Sequence, residues 1–180
     1  PSLDRYLAEH DDYSFFRDSI LNQFFVTYAP NAAASKTYEY RTGEVAQVYV
    51  KVSDPLLTFS LNNENYLKEE DNDGQQDAFT LFIPKNDVLI PWVRTILLEH
   101  YKTLNNVPKT VLADFVNTLL WRNAVWPSQF SLKFNVHEEP ATFVQQDIVD
   151  KKMLSNGFFY GTSKVQESNL FSTVYKHIIL

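Results

Sequence analysis

The sequence lacks several residues and motifs on which common catalytic and cofactor sites depend. It has no cysteine and only four glycines among 180 residues. The lack of cysteine excludes disulfide bonds, thiolate metal sites and a cysteine nucleophile, although it leaves the cellular compartment open. The few glycines form neither a G-x-G-x-x-G loop nor a P-loop, and no serine lies in a G-x-S-x-G elbow. The four histidines lack the spacing of a zinc motif, so structural roles are favoured for them.

The charge balance also limits the partners. The chain carries 16 basic and 22 acidic residues, a net charge of -6, and no run of Lys or Arg. A phosphate backbone or an anionic membrane surface would be repelled by this charge. Nucleic-acid binding is therefore disfavoured.

The residues that are abundant are hydrophobic and aromatic. Hydrophobic residues make up 44% of the chain, with 14 Phe, 10 Tyr and 3 Trp. A chain of this length can bury about 70% of its unfolded surface, which suits one ordinary domain spanning 1–180. The aromatic rings must fill a core or line a contact surface.

Hydrophobic periodicity predicts helices early in the chain and strands late. Ser2 is expected to cap a first helix, a second helix follows Asp12, and Pro91 and Pro108 are expected to open two more. The expected strands are 45–52 with a partner at 56–61, then 79–83, 130–136, 141–149 and 157–165, and the polar stretch 62–77 is expected to be a surface loop. This order predicts an α+β fold with a segregated sheet.

Two short motifs add a family resemblance. One reads Thr80-Leu81-Phe82-Ile83-Pro84-Lys85-Asn86-Asp87, and the other is Asn156-Gly157 followed by an aromatic strand. With the opening helical pair and the closing segment 170–175, they make the whole chain resemble a fasciclin (FAS1) domain. Pro84 is expected to end a strand, Asn86 or Asp87 to cap the next helix, and Asn156-Gly157 to form a tight turn.

The resemblance implies a fold and a setting. The fold would have helices packed around a sandwich or wedge of mostly antiparallel strands. Similar Bacteroidetes members imply a non-catalytic binding or adhesion module, exported and displayed on the outer membrane by a lipid anchor outside this chain, with a further FAS1 domain in the same protein. The partner would be a glycan or a surface protein, with no cofactor and no metal.

The chain departs from the family pattern in two places. Many FAS1 domains carry a Tyr-His pair where this chain reads Leu119 to Asn123, so integrin-type adhesion is not expected. The segment from about 30 to 78 is longer than usual, and we expect it to form an added strand pair and loop. Added segments on a scaffold often carry binding specificity.

Five aromatic residues are the candidate ligand contacts. They are Trp126, Trp121, Tyr38, Tyr40 and Tyr49, which lie near the Pro127 turn or in the added segment. Exposed rings of this kind stack on carbohydrates or on protein partners. If they are core residues, the chain is instead a structural spacer without a ligand site.

Two chemical alternatives remain open from the residues alone. Glu138 or Glu139 could pair with Asp147 or Asp150 across a cleft, as glycoside hydrolysis requires. The acids of 69–74 alternate before a glycine as in a calcium loop, but Thr80 replaces the bidentate Glu and flanking helices are not predicted, so a solvated turn is favoured.

Overall fold

The computed structural model describes residues 1–62 and 78–170 as a mixed α+β fold. The α-helices are α1 (Leu3–Glu9), α2 (Gln23–Phe25), α3 (Ala32–Thr42), α4 (Asn86–Trp92), α5 (Leu98–Tyr101) and α6 (Lys109–Thr118). The strands are β1 (Val26–Pro30), β2 (Tyr49–Ser53), β3 (Phe79–Pro84), β4 (Leu120–Trp121), β5 (Ile148–Leu154) and β6 (Gly157–Thr162). Wider π-helical turns form Phe15–Asn22 and Val93–Leu97, and short 3₁₀ turns include Pro127–Gln129 and Gln145–Asp147.

A four-stranded sheet, in the order β4-β3-β6-β5, organises the fold. The central strands β3 and β6 run parallel, in register from Phe79 opposite Gly157 to Pro84 opposite Thr162. The outer strands β4 and β5 are antiparallel to their neighbours. Every residue of β3 and β6 is buried, as expected for apolar strands covered on both faces.

The two faces of this sheet carry different cores. Successive side chains of a strand point to opposite faces. Leu81, Ile83 and Phe159 belong to the larger core, which the helices cover. Phe82 and Tyr160 belong to a second core, which the chain between β4 and β5 covers. The predicted α+β class is thus confirmed, but the predicted order of helices before strands is not, because α4, α5 and α6 lie between β3 and β4.

The motif residues hold distant parts of the chain together. The buried Thr80 hydroxyl donates to the Asn123 carbonyl at 2.7 Å and accepts from the Val125 amide at 3.0 Å. The Asn156 side chain accepts from the Leu3 amide at 2.8 Å and donates to the Leu61 carbonyl at 2.9 Å. These bonds satisfy buried polar groups that would otherwise destabilise the core.

The predicted turn between β5 and β6 is present, and Gly157 is required there. Its φ is +152°, and a Cβ at this position would lie 1.9 Å from the carbonyl oxygen of Phe79. Pro84 ends β3 as predicted. The prediction that Asn86 caps its own helix is wrong: its Oδ1 accepts from the Phe15 amide at 2.9 Å, so it anchors the start of the π-helical turns instead.

Several predicted elements differ in the structure. The segment 56–61 is not a strand, because the partner of β2 is β1. The alternating segment 130–136 forms turns with one bridge, Phe134 to Pro140, and no strand within residues 1–62 and 78–170 pairs with it. Only the end of 141–149 enters a strand. Pro91 lies within α4 rather than at its start.

The added segment contributes to an arm, which we define as residues 26–53. In it β1 and β2 form an antiparallel pair, and α3 connects them. The Asn31 side chain caps α3 by accepting from Ala34 at 2.8 Å, and Gly43, with φ of +74°, ends it. No residue of α3 is buried, so the helix lies on the surface.

Candidate functional site

Two clefts lie on either side of the Pro127–Gln129 turn, on the sheet face that carries the second core. The large cleft has a volume of about 700 Å³, and Phe130, Phe143 and Tyr160 are among its lining residues. The small cleft has a volume of about 300 Å³ and is lined by Trp126, Met153 and others. We call this surface, with both clefts, the cleft face.

An aromatic cluster fixes the floor of the large cleft. The Phe82 ring stacks on Phe143 at 5.0 Å and on Tyr160 at 4.9 Å between centroids. Phe130 meets Tyr160 edge to face at 5.2 Å. The Tyr160 hydroxyl donates to the Val125 carbonyl at 2.7 Å, and burial raises the pKa of Tyr160 to about 12. The floor is therefore aromatic, and the Tyr160 phenol stays neutral at physiological pH.

Trp126 is the exposed ring of the cleft face. Its ring lies 4.7 Å from that of Phe158, and 49% of the residue remains accessible. The Trp126 amide donates to the Gln129 side chain at 3.2 Å, and the Gln129 amide donates back to the Trp126 carbonyl at 2.8 Å. These bonds hold the backbone of Trp126, and the contact with Phe158 restricts the ring itself.

The edge strand β5 runs beside both clefts. Lys151 pairs with Tyr160 and Met153 pairs with Phe158, so these side chains point to the cleft face. Lys151 lines the large cleft and Met153 lines the small one. These contacts are not predictable from the sequence, because a lysine and a single methionine in a strand are ordinary surface residues.

The Asp150 carboxylate points to the opposite face of the sheet. Asp150 pairs with Gly161, and its Oδ2 accepts from Tyr6 at 2.5 Å and from Tyr13 at 3.4 Å. Burial raises the pKa of Tyr6 above its usual range, and the hydrogen bond to the Asp150 carboxylate raises it further. Burial likewise raises the pKa of Tyr13. Asp150 thus serves as a structural acceptor for Tyr6 and Tyr13, although the residue is also among those that line the large cleft.

The other candidate carboxylates, Asp147, Glu138 and Glu139, are not among the residues that line the two clefts. Asp147 accepts from the Val144 amide at 2.9 Å, and Glu139 accepts from the Ser168 hydroxyl at 2.7 Å. Glu138 is exposed. The facing acid pair that a glycoside hydrolase needs is therefore not formed by these residues.

Trp121 is not a surface residue, so the prediction that it contacts a ligand is wrong. It is 0% exposed and packs against Phe82 at 4.8 Å. Its indole N–H donates to the Lys133 carbonyl at 3.2 Å. The ring lies in the second core because β4, although only two residues long, pairs with β3 at this point.

The tyrosines of the added segment lie on the arm. Tyr38 donates to Glu44 at 3.3 Å, Tyr40 projects almost fully into solvent, and Tyr49 is exposed on β2. Tyr28, which is not among the residues that the sequence indicates, is exposed on β1. Its register puts it on the same face of the strand pair as Tyr49.

The arm and the cleft face are separate surfaces. Lys51 of the arm bonds to Asp4 of α1, and the arm contacts the π-helical turns of Phe15–Asn22. Those elements cover the larger core, whereas Trp126 lies beside the second core. The candidate residues therefore do not converge on one site.

Within residues 1–62 and 78–170, no three His, Asp or Glu side chains are placed to hold a metal ion. The calcium-like acids of 69–74 lie outside the described residues. In the same described ranges, no helix has the length and apolar character needed to cross a membrane.

Comparison with protein-family models, with curated proteins and with solved structures finds no match for this chain.

Proposed function

We propose that this chain is a fasciclin-type (FAS1) binding module, and that it holds an extended ligand on the cleft face. The fold assignment is supported by its two motifs, which are about 70 residues apart in sequence and form the paired central strands β3 and β6. The motif residues Thr80, Phe82 and Asn156 all act as structural parts of that region.

The single observation that carries the binding proposal is the pair of clefts beside an exposed tryptophan. Ligand sites are typically concave, of about 300–1,000 Å³, and apolar with a few polar groups. The large cleft has this size, an aromatic floor, and Ser128, Ser131 and Gln145 among its polar lining residues. Trp126, held by Gln129, supplies a ring on which a ligand can stack.

A spacer without a ligand site is the weaker interpretation. It would require Trp126, Tyr38 and Tyr40 to be buried and the surface to lack an apolar groove. All three residues are exposed, and the large cleft provides such a groove.

The cellular location and the partner class of the module are part of the same proposal. We infer that the module is displayed on a bacterial outer membrane through a lipid anchor outside this chain, beside a further FAS1 domain. The family resemblance supports this placement. The net charge of -6 favours a glycan or a protein as the partner over nucleic acid.

An array of polysaccharides and surface or matrix proteins tests the proposal. The 180-residue chain is applied next to a Trp126→Ala variant and a Tyr40→Ala control, which removes an exposed ring from the arm instead. We expect at least one ligand whose binding falls about tenfold or more in the Trp126 variant, as for a central aromatic contact, and is unchanged in the control. Binding that depends on Tyr40 and not on Trp126, or no binding to any member, would refute the cleft face as the site.

A further inference from the structure

Among the described residues, strand β5 forms an edge of the sheet beside the cleft face. Strand β5 is the last strand of its sheet, and no strand in the described ranges pairs with its outer side. Alternate backbone N–H and C=O groups of such a strand point outward and can pair with another extended chain. Val149, Lys151, Lys152 and Met153 are exposed along it.

The edge connects the two clefts at a defined spacing. Val149, the bulged residue of β5, lines the large cleft, and Met153 lines the small one. Four residues of extended chain span about 13 Å. A peptide strand laid along β5 would therefore place two side chains, about four residues apart, at the two clefts.

The positive charge between the two clefts favours a particular residue type at the centre of such a peptide. Lys151 lies between Val149 and Met153 in sequence and points to the cleft face, whereas Lys152, which pairs with Phe159, points to the opposite face. Neither lysine forms an ion pair with any residue of the described ranges. The neighbouring Asp150 carboxylate is held by Tyr6 on the opposite face. An acidic residue opposite Lys151 would supply the missing countercharge.

These observations discriminate against two other occupants. A second copy of the chain, paired antiparallel through β5 about Lys151, would bring the same lysines of both copies together, and like charges directly opposite each other destabilise a strand pair. The hydroxyls of a neutral glycan could bond to the outward backbone groups, but such a glycan carries no charge to pair with Lys151.

We propose that the ligand of the cleft face is an extended protein segment that adds a strand to β5, with apolar side chains about four residues apart and an acidic residue between them. This inference rests on the proposed binding function and names its ligand class. Backbone hydrogen bonds would supply affinity, and the two clefts and Lys151 would supply selectivity. The bulge at Val149 and the lysines also discourage non-specific edge pairing, which suits a selective edge.

Designed peptides test this directly. The probe is a fluorescently labelled nine-residue peptide, TTLTETLTT, compared with its basic counterpart TTLTKTLTT and with TTLTELTTT, whose leucines are only three residues apart. We expect the acidic peptide to bind the 180-residue chain about threefold or more tightly than the other two at low ionic strength, as measured by fluorescence anisotropy. Lys151→Glu should reverse the preference between acidic and basic peptides. Lys36→Glu, an equal charge change on the arm, should preserve it.

A backbone measurement separates strand addition from simple charge attraction. Hydrogen exchange of the β5 backbone amides should slow when the acidic peptide binds. A peptide that is N-methylated at those alternate amides that would donate hydrogen bonds to β5 should not bind. Equal binding of acidic and basic peptides, a preference unmoved by Lys151→Glu, or no detectable binding of any peptide would overturn the inference. A glycan that binds through Trp126 while all peptides fail would leave the proposed function standing and remove only this inference.

Discussion

Gly161 is the position at which the packing of this fold can be tested most sharply. A Cβ there would lie 1.9 Å from the Tyr13 hydroxyl oxygen and 2.9 Å from the Cβ of Asp150. Tyr13 is 1% exposed, and its ring meets Phe159 edge to face at 4.8 Å, so it has little room to move. Overpacking of this kind costs about 1–3 kcal/mol, and we expect Gly161→Ala to lower the free energy of unfolding by about 3 kcal/mol.

A double-mutant cycle identifies the hydroxyl as the cause. Tyr13→Phe alone loses a long hydrogen bond to Asp150, which is worth about 1 kcal/mol. Because it also removes the atom that the new methyl group meets, the double variant should be more stable than the sum of the single changes predicts, by about 1 kcal/mol. The relief is partial, since the Tyr13 Cζ would remain 2.8 Å from the methyl carbon.

The assay is urea unfolding followed by tryptophan fluorescence, with Gly43→Ala as the control. Gly43 has a positive φ of 74° but no atom within 4 Å of an added Cβ. Gly43→Ala should therefore lower the free energy of unfolding through backbone strain alone, by about 1 kcal/mol or more, and this loss should not depend on Tyr13. Additivity of Gly161→Ala and Tyr13→Phe within about 0.5 kcal/mol would refute the packing that we describe.

Three further outcomes follow from the structure. Asn156→Ala should lower the free energy of unfolding by about 2–3 kcal/mol, because it leaves two backbone groups unpaired in the core; a loss under about 1 kcal/mol in urea would contradict this. Burial raises the pKa of Tyr6 and of Tyr13 in the folded chain above the unfolded value of 10.0. The contribution of the two neutral phenols to the free energy of unfolding is therefore complete below pH 10, and it is lost as the pH rises through their folded-state pKa values. Both phenols should then ionise only together with unfolding in an ultraviolet titration, and their ionisation in the folded chain near pH 10 would count against the assignment. Replacing 31–48 by a two-residue Asn-Gly turn should change the free energy of unfolding by less than about 1 kcal/mol in urea, since α3 buries no residue; a loss above about 2 kcal/mol would show that the arm supports the core.

The elements that the sequence predicts well are those whose burial follows from a local pattern. The face of α6 predicted to point inward, Leu112, Phe115, Val116 and Leu119, is buried throughout. The apolar run of β3 and its end at Pro84 are also predicted correctly. In both cases the hydrophobic period and the proline act within one element, so the distant partners of that element need not be known.

The errors arise where a strand needs a partner that the sequence does not reveal. Leu132, Phe134 and Val136 alternate as in a strand, yet all three are exposed and the segment forms turns. Trp121 is one of the candidate ligand contacts, but the short pairing of β4 with β3 brings it into the second core. Pairing between distant segments depends on tertiary context, which outweighs local β-propensity.

The candidate site is predictable only in part for the same reason. The sequence names Trp126 as a candidate contact beside the Pro127 turn but leaves its exposure open, and in the structure about half of the residue is accessible. The clefts next to it are not predictable, because Phe143 and Tyr160 come together only through the stacking of Phe82 between them. The sequence therefore indicates the ring but not the cavity that it borders.

The most direct test of the cleft face is a fragment screen detected on the isotope-labelled chain by NMR. Small molecules of varied chemistry collect at true binding sites, so the screen works without a known ligand. We predict that hits shift the Trp126 indole and the resonances of Phe130 and Met153. Hits that instead cluster on the arm, at Tyr28 and Tyr49, or that fail to cluster at all, would contradict the assignment of the cleft face as the binding site.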